Sequence, residues 1–269
     1  MEGSGVVAES ETDEELLVET SGQVRILTLN RPEKRNALNT DMCRKIAVAV
    51  HEASHGPGET ARAVLIRGNG KAFCAGADLG PTDTQAEATG GVYGGGFHEA
   101  LHTMLRAIVN SPVPVIADIQ GPAVGAGSQL SLACDLRVAG ENAWFGVPAA
   151  ALGFALDSWT INRAQDLLGG SIARNMLIAH QRVTAEQAAV VGFVTKIGDS
   201  QTALNFAEEV ASLAPLAMKQ LKGVLNERDG SYNLDAQQQE LYDVCWASED
   251  AAEAKAARRE KRAPVFRGR

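Results

Sequence analysis

The sequence predicts an α/β fold followed by a helical C-terminal region, and three observations support this prediction. A strand–turn–helix order recurs three times before residue 145. The predicted strand 23–30 becomes apolar on both faces near its end, as in a strand that is covered on two sides. Beyond residue 158 the apolar residues follow helical spacing almost throughout. With 269 residues, the chain is long enough for one large domain of this kind.

The N-terminal part alternates strands and helices. Strand patterns at 16–20 and 23–30 flank Ser21–Gly22, and Thr40–Asp41 can cap a helix that ends near Ser54. A strand at 61–68 follows this helix, so a right-handed crossover and a parallel pair are expected. The next predicted elements are a long glycine-rich loop at 69–96, a helix at 97–110, a strand at 113–120, a helix of small residues within 121–135 and a strand at 136–140.

The C-terminal part is predicted to be helical, with one short strand at 193–197. The predicted helices are 158–168, 171–179, 184–191, 201–213, 215–226 and 234–262, of which the last can be two helices broken near Ser248. We therefore expect a disordered N-terminal extension at 1–14, an α/β core at 15–200 and a helical region at 201–269.

Composition excludes several classes of protein. The net charge of −8 argues against a nucleic-acid partner, although the run KAARREKR can serve a small anionic ligand. The four cysteines are far apart and form no CxxC pair, which favours a reducing, cytoplasmic location. The acidic N-terminus has no pattern of a signal peptide, and no apolar run reaches the ~20 residues of a membrane-spanning helix.

Three short patterns suggest other chemistries. GAGSQL, from Gly125, lacks the third glycine of a dinucleotide fingerprint, and GNGKA, from Gly68, lacks parts of a phosphate-binding loop. HEALH at 98–102 satisfies HExxH, so His98 and His102 can chelate zinc from one helix face with Glu99 as base. The next residues supply no third histidine, and a surface helix explains the same pattern. We expect no metal site.

Two turns of small residues carry a more specific signal. AFCAGADL (72–79) and GPAVGAGSQL (121–130) each follow a predicted strand and can expose backbone N–H groups. Two such turns on neighbouring parallel strands can direct two amides at one carbonyl oxygen and so form an oxyanion hole. The alternative is that glycine and alanine only permit close packing of a helix on the sheet.

Several motifs in the same order resemble the enoyl-CoA hydratase/isomerase (crotonase) superfamily. They are RPEKRNALN, GKAFCAGADL, PVPVIADIQGPAVGAGSQLSLACDLRVA and ARREKRAPVF, and the similarity extends from about residue 23 to 266. The resemblance implies a crotonase (ClpP/crotonase-like) spiral of repeated ββα units and a C-terminal helical region that forms trimers or dimers of trimers. It also implies an acyl-CoA thioester as ligand in fatty-acid or lipid metabolism, with coenzyme A as part of that ligand and no further cofactor.

The resemblance assigns roles to particular residues. It makes the N–H groups of Ala77 and Ala126 the donors of the oxyanion hole. Ala75, Asp78 and Leu79 would line the adenine pocket. The positions that would contact the rest of coenzyme A are Lys34, Arg35, Ala37 and Leu38 of one loop, together with Lys261 and Arg262 from a neighbouring subunit.

The sequence departs from the family where hydratases use two glutamates. One glutamate activates water and the other delivers the α-proton, which requires two carboxyl groups in different protonation states. Here Gln129 occupies the first position and Ala149 the second. Neither side chain exchanges a proton near neutral pH. In this respect the chain is similar to mycobacterial-type homologues that lack both glutamates and carry an ALDSW-like segment.

Asp157 is the remaining acid in the segment FGVPAAALGFALDSW. Some isomerases of the family carry an aspartate at this offset, and a dehalogenating branch has its nucleophile at a corresponding place. The alternative is an N-cap of the helix at 158–168, and the two roles are compatible. Val147, Leu152, Phe154 and Trp159 can form an apolar tunnel for an acyl chain, or can belong to the core.

Together these observations predict an acyl-CoA (enoyl-CoA) binding protein in which an oxyanion hole is retained and ordinary hydration is weak or absent. The alternative is an active enoyl-CoA hydratase or a double-bond isomerase that uses Asp157.

Overall fold

The computed structural model describes residues 14–55, 61–80, 96–152, 155–226, 240, 244 and 247–269. Its strands are β1 (Leu16–Ser21), β2 (Val24–Leu29), β3 (Ala63–Gly68), β4 (Val115–Ile119), β5 (Ala123–Val124), β6 (Leu136–Ala139), β7 (Trp144–Gly146), β8 (Val183–Thr184) and β9 (Lys196–Ile197). Its helices are α1 (Thr40–His55), α2 (Phe97–Val109), α3 (Ala126–Ala133), α4 (Ala149–Leu152), α5 (Ser158–Leu168), α6 (Gly170–Leu177), α7 (Ala185–Val190), α8 (Ser200–Ala211), α9 (Pro215–Asn226) and α10 (Glu249–Glu260).

Six strands form the main sheet in the order β1-β2-β3-β4-β6-β9. β1 and β2 pair antiparallel, and the other neighbours pair parallel. The predicted parallel pair of β2 and β3 is therefore confirmed, as is the crossover through α1.

Both faces of the main sheet are covered, which explains the nearly continuous apolar strands. In β3, Val64 and Ile66 belong to a large core that includes residues of α1, α2 and α3. Ala63 and Leu65 face the other way and pack with Ala203, Ala207 and neighbouring residues of α8. Because side chains alternate along a strand, one short apolar run serves both cores.

A second sheet of three short strands, β5-β7-β8, lies beside the candidate functional residues. β5 pairs parallel with β7, and isolated parallel bridges join Cys74 to Ala123 and Leu38 to Ala77. These bridges connect the loop after β2, the turn after β3 and the turn after β4 into one hydrogen-bonded stack. The stack brings together chain segments that are far apart in sequence.

Most predicted helices are confirmed, and their ends follow side-chain capping. Asp157 caps α5, Asp199 caps α8 and Ser248 caps α10, each by accepting a hydrogen bond from a backbone N–H of the first turn. Ser248 therefore marks the start of a separate helix, at the position where the sequence predicted a break.

The predicted strand at 193–197 is shorter than expected. Only Lys196 and Ile197 pair with β6, whereas Phe193 and Val194 are buried in the large core. The predicted disordered extension falls almost entirely outside the described residues, as do residues 81–95 of the predicted loop at 69–96 and part of the predicted helix at 234–262. Among the described residues, no helix combines the length and apolarity needed to cross a membrane.

A buried ion pair attaches α9 to the core. Lys222 is only 5% exposed, and its Nζ lies 2.7 Å from Oδ2 of Asp135. The same ammonium group donates hydrogen bonds to the carbonyls of Ile108 and Val113. Asp135 in turn accepts a hydrogen bond from the backbone N–H of Val115, at the start of β4. The pair thus connects α9, the end of α2 and the central sheet.

We predict that Lys222→Met destabilises the fold by about 3–5 kcal/mol, because it leaves the Asp135 carboxylate without its cation and removes the hydrogen bonds of the ammonium group to two carbonyls. The measurement is the free energy of unfolding in denaturant. Lys45→Met is the matched control, because Lys45 pairs with Asp41 on the exposed face of α1. The control should change stability by less than about 0.5 kcal/mol. Equal effects of the two variants would contradict the structural role of Lys222.

Candidate functional site

A cavity of about 590 Å³ lies between the start of α2, the turn after β3, the start of α3 and the segment that leads into α5. Among the residues singled out in the sequence, Ala77, Ala126, Gln129, Ala149 and Asp157 line it. Most of the other lining side chains are apolar, and the polar ones are placed close together at one region of the wall. Such a cavity is typical of a small-molecule site.

The two small-residue turns touch each other at the cavity wall. A Cβ atom added to Gly76 would lie 3.7 Å from the backbone nitrogen of Ala126. Gly76 has a φ of +110° and Gly125 a φ of +54°, which glycine adopts at little cost and other residues rarely adopt. The bridge between Cys74 and Ala123 holds the turns in register, because Cys74 donates to Pro122 and Val124 donates to Cys74.

The N–H groups of Ala77 and Ala126 are available to a ligand. Leu38 bonds to the neighbours of Ala77, donating to Gly76 and accepting from Asp78, so the amide of Ala77 faces away from that bridge. Ala126 is the first residue of α3, where an N–H has no acceptor within the helix. Within the described residues, neither amide donates to a backbone carbonyl. Both residues line the cavity.

Asp157 is both a helix cap and a cavity residue. Its Oδ1 accepts the backbone N–H of Thr160 at 2.9 Å, and its Oδ2 accepts the Thr160 hydroxyl at 2.7 Å. The predicted cap is therefore confirmed, and the same side chain lines the cavity. Burial alone would raise the pKa of Asp157, but the hydrogen bonds from Thr160 and the nearby His102 outweigh it, so the pKa lies below its usual range. The carboxylate is ionised at neutral pH.

Gln129 joins the same network. Its Nε2 donates to the Thr160 hydroxyl at 2.8 Å and lies 3.4 Å from Oδ2 of Asp157. The side-chain amide is thus engaged with neighbours inside the wall of the cavity. Ala149 begins α4 and contributes only a methyl group to the lining. Neither position offers a proton acceptor or donor of catalytic strength.

His102 is the cavity residue whose relation to Asp157 was not anticipated. Its Nε2 lies 3.7 Å from Oδ2 of Asp157, and its side chain is 41% exposed. His98 lies one turn earlier on α2 and also lines the cavity. Both histidines of the HExxH pattern line the cavity, and the carboxylate near His102 is Asp157. Among the described residues, no group of three His, Cys, Asp or Glu side chains could hold a metal ion.

The loop predicted to contact coenzyme A is held against the turn after β3. Lys34 and Arg31 both pair with Oδ2 of Asp78, at 3.1 and 2.8 Å. Burial opposes ionisation of Asp78, but these two cations outweigh it and lower its pKa. The backbone of Arg35 accepts the N–H of Ala75. The predicted positions Lys34, Arg35, Ala37, Leu38, Ala75, Asp78 and Leu79 are therefore brought together.

Arg31 organises this loop and was missed in the sequence. Its buried side chain pairs with Glu15 and Asp78 and donates to the carbonyl of Ala37. Asn36, at a φ of +57°, accepts the Arg31 N–H and donates to the carbonyls of Asn69 and Ala72. The available signal was Arg31 directly before Pro32 in a polar loop, which does not reveal these partners.

Two residues predicted to contact coenzyme A and one residue predicted to line the acyl tunnel do not line the cavity. Arg262 pairs with Glu253 and Glu260 at the end of α10, and Lys261 is exposed beside it. Neither lines the cavity of its own chain. Trp159 packs against the large core, whereas Val147 and Leu152 line the cavity. Phe154 lies outside the described residues.

The chain is similar to known proteins over most of its length. The family model described as enoyl-CoA hydratase/isomerase matches residues 19–269. A probable enoyl-CoA hydratase of Mycobacterium tuberculosis (strain CDC 1551 / Oshkosh) is 40% identical over 245 residues, which cover 91% of this chain and 96% of that protein. The 2,3-dehydroadipyl-CoA hydratase of Escherichia coli K12 is 35% identical over 263 residues, with coverage of 95% and 99%.

A solved structure shows the same architecture. The enoyl-CoA hydratase/carnithine racemase from Magnetospirillum magneticum superposes with a TM-score of 0.81 at 28% identity, covering 96% of this chain and 97% of that one. The described strands and helices thus have the crotonase fold. The match over nearly the whole sequence, together with the similarity of the fold, shows that this chain belongs to the enoyl-CoA hydratase/isomerase (crotonase) family.

Proposed function

We propose that the cavity binds the thioester group of an acyl-CoA, with its carbonyl oxygen against the N–H groups of Ala77 and Ala126. The observation that carries this proposal is the contact between the turns at Gly76 and Gly125, which brings two available amides to one wall. Two convergent amides are the donors that stabilise negative charge on a carbonyl oxygen. The position of Ala126 at the start of α3 adds the favourable end of a helix dipole.

The remaining parts of the ligand follow from the surroundings. Apolar side chains that include Leu101, Val147, Leu152 and Leu156 would contact the acyl chain. The loop around Lys34 to Leu38, with Ala75, Asp78 and Leu79, would contact coenzyme A. Lys34 can serve a phosphate, although it must then share its charge with Asp78.

The proposal for Lys261 and Arg262 requires a neighbouring subunit, in a trimer or a dimer of trimers. Arg262 is already neutralised by two glutamates on α10. Lys261 is therefore the better candidate for a phosphate contact across a subunit interface. No cofactor other than the coenzyme A of the ligand is part of this proposal.

Efficient hydration is not expected of this site. We assign the two glutamate positions of the family's hydratases to Gln129 and Ala149, and neither can activate water or deliver a proton. Gln129 is also engaged with Thr160 and Asp157. The site therefore suits binding of a thioester and stabilisation of charge on its oxygen, within fatty-acid or lipid metabolism.

The second candidate function is proton transfer at a double bond of the bound acyl chain, with or without weak hydration. The observation that favours it is the ionised Asp157 at the cavity wall, whose Oδ2 lies 3.7 Å from Nε2 of His102. Proton transfer next to a thioester needs one base and a stabilised oxyanion, but it does not need an activated water.

One prediction of this proposal concerns the hydrogen bonds to the thioester carbonyl. Butyryl-CoA should bind about tenfold more tightly than S-butyl-CoA, a thioether without the carbonyl, because two hydrogen bonds of about 0.5–1.5 kcal/mol each are lost. Isothermal titration calorimetry measures both affinities. Gly125→Ala should abolish most of the difference, because an alanine at this φ shifts the amide of Ala126.

Gly22→Ala is the matched control for this experiment. Gly22 has the same φ of +54° in the turn between β1 and β2, and no atom lies within 4 Å of an added Cβ. Its backbone strain should resemble that of Gly125→Ala, but the preference for the thioester should remain. Equal affinity of the wild-type protein for thioester and thioether would contradict the proposal.

The second prediction concerns hydration. Crotonyl-CoA should bind, but its hydration should be slower by at least about 10²-fold than in a hydratase with both glutamates, because a positioned acid or base typically contributes 10²–10⁴. The decrease in the absorbance of the enoyl thioester measures the rate. A hydration rate equal to that of a two-glutamate hydratase assayed in parallel would contradict this prediction, because it would show that Gln129 and Ala149 do not slow hydration.

A further inference from the structure

We propose that His102 is the group that takes a proton from the α-carbon of the bound thioester, and that Asp157 positions it. This inference rests on the proposed function, because it requires the thioester carbonyl at the amides of Ala77 and Ala126. It begins from the approach of His102 to Asp157, whose Nε2 and Oδ2 atoms lie 3.7 Å apart and connect α2 to the start of α5 across the cavity wall.

Asp157 is well suited to hold an imidazole and poorly suited to be the base. Its two oxygens already accept two hydrogen bonds from Thr160, and the Gln129 amide lies near Oδ2. These contacts fix the carboxylate in one orientation. They also make it a weaker base, since each donor stabilises the charged form. Among the residues that the structure describes, the imidazole of His102 has no such donors against it, and histidine is the side chain that most often serves as a general base.

The geometry also assigns the ring nitrogens. Nε2 is the atom that faces Oδ2 of Asp157, so an ionised Asp157 favours the tautomer with hydrogen on Nε2. Nδ1 then carries the lone pair. When Nδ1 gains a proton, the resulting imidazolium is stabilised by Asp157. This is the arrangement of a base and an orienting carboxylate, built here from helices that are distant in sequence.

The proposed step balances without another reactant. The Cα–H bond breaks, its proton moves to Nδ1 of His102, and its electron pair forms an enolate. The negative charge of the enolate lies on the thioester oxygen, against the two amides. The proton then returns to the same carbon, or to the γ-carbon when the substrate has a β,γ double bond. Because the His102 side chain is 41% exposed, its proton can exchange with solvent between the two transfers.

Deuterium incorporation tests this proposal directly. The probe is 3-butenoyl-CoA in D₂O, and mass spectrometry measures the deuterium in the recovered thioester. We expect the wild-type protein to accelerate incorporation above the uncatalysed rate. His102→Gln should lower the enzymatic rate by at least about 10²-fold, because the base is removed while hydrogen-bonding capacity is retained.

Asp157→Asn tests the positioning role. Asparagine is as good an N-cap as aspartate, so α5 should keep its stability. The substitution should slow incorporation at saturating 3-butenoyl-CoA by at least about tenfold, while the dissociation constant of the thioester changes by less than about twofold. A purely structural role of Asp157 would instead lower stability and affinity together, and that result would contradict its positioning role.

Two further histidine variants complete the comparison. His51→Gln changes an exposed imidazole of α1 and should leave incorporation unchanged. His98→Gln changes the other imidazole of the cavity and should reduce the rate less than His102→Gln does. A larger loss in His98→Gln, or full activity in His102→Gln, would overturn the assignment of the base to His102.

The outcomes also separate this inference from the proposed function. If 3-butenoyl-CoA does not bind to the wild-type protein, both proposals fail. If it binds and the preference for thioester over thioether is present, but no deuterium is incorporated, the proposed function stands and the role of His102 is overturned. Incorporation that is lost in Asp157→Asn and retained in His102→Gln would show that Asp157 itself is the base.

Discussion

The contact between two glycine turns is the constraint on which the site depends. The turn after β3 and the turn after β4 are joined by backbone hydrogen bonds between Cys74 and the segment around Ala123. Positive φ angles at Gly76 and Gly125 then allow the chains to approach closely. This approach sets where α3 begins and where the amide of Ala126 lies.

The cavity wall combines this rigid backbone with a separate side-chain network. Gln129 and Thr160 hold Asp157, and Asp157 faces His102. In this network Gln129 supplies hydrogen bonds where a carboxylate would place a second negative charge next to Asp157. Glutamine at this position is therefore compatible with an ionised Asp157. In our proposal one imidazole, that of His102, takes and returns the proton, whereas a two-carboxylate site divides this task between two acids.

Much of the fold follows from local patterns, because those patterns report local physics. The helix at Ser158–Leu168 was predictable from its apolar spacing and from Asp157 at the cap. The parallel pair of β2 and β3 followed from a strand, a helix and a strand in sequence. The small sheet was not predictable, because β5 and β8 have two residues each, too few for any periodicity.

The site was predictable only where sequence motifs determine the backbone. The two small-residue turns indicated exposed backbone amides, and the family resemblance assigned them to Ala77 and Ala126. The approach of His102 to Asp157 depends instead on the tertiary packing of α2 against the start of α5. HExxH placed two histidines on one helix and could not indicate that Asp157 lies near His102. The partners of Arg31 were hidden for the same reason, since Glu15 and Asp78 come from different parts of the chain.

Polarisation of the thioester carbonyl tests the central claim most directly. Isotope-edited infrared spectroscopy of butyryl-CoA labelled with ¹³C at the carbonyl reports the strength of hydrogen bonding to that oxygen alone. If the amides of Ala77 and Ala126 receive it, the carbonyl stretch of the bound ligand should lie at lower frequency than in water, and Gly125→Ala should remove the shift. A bound carbonyl with the same frequency as in water would contradict the account.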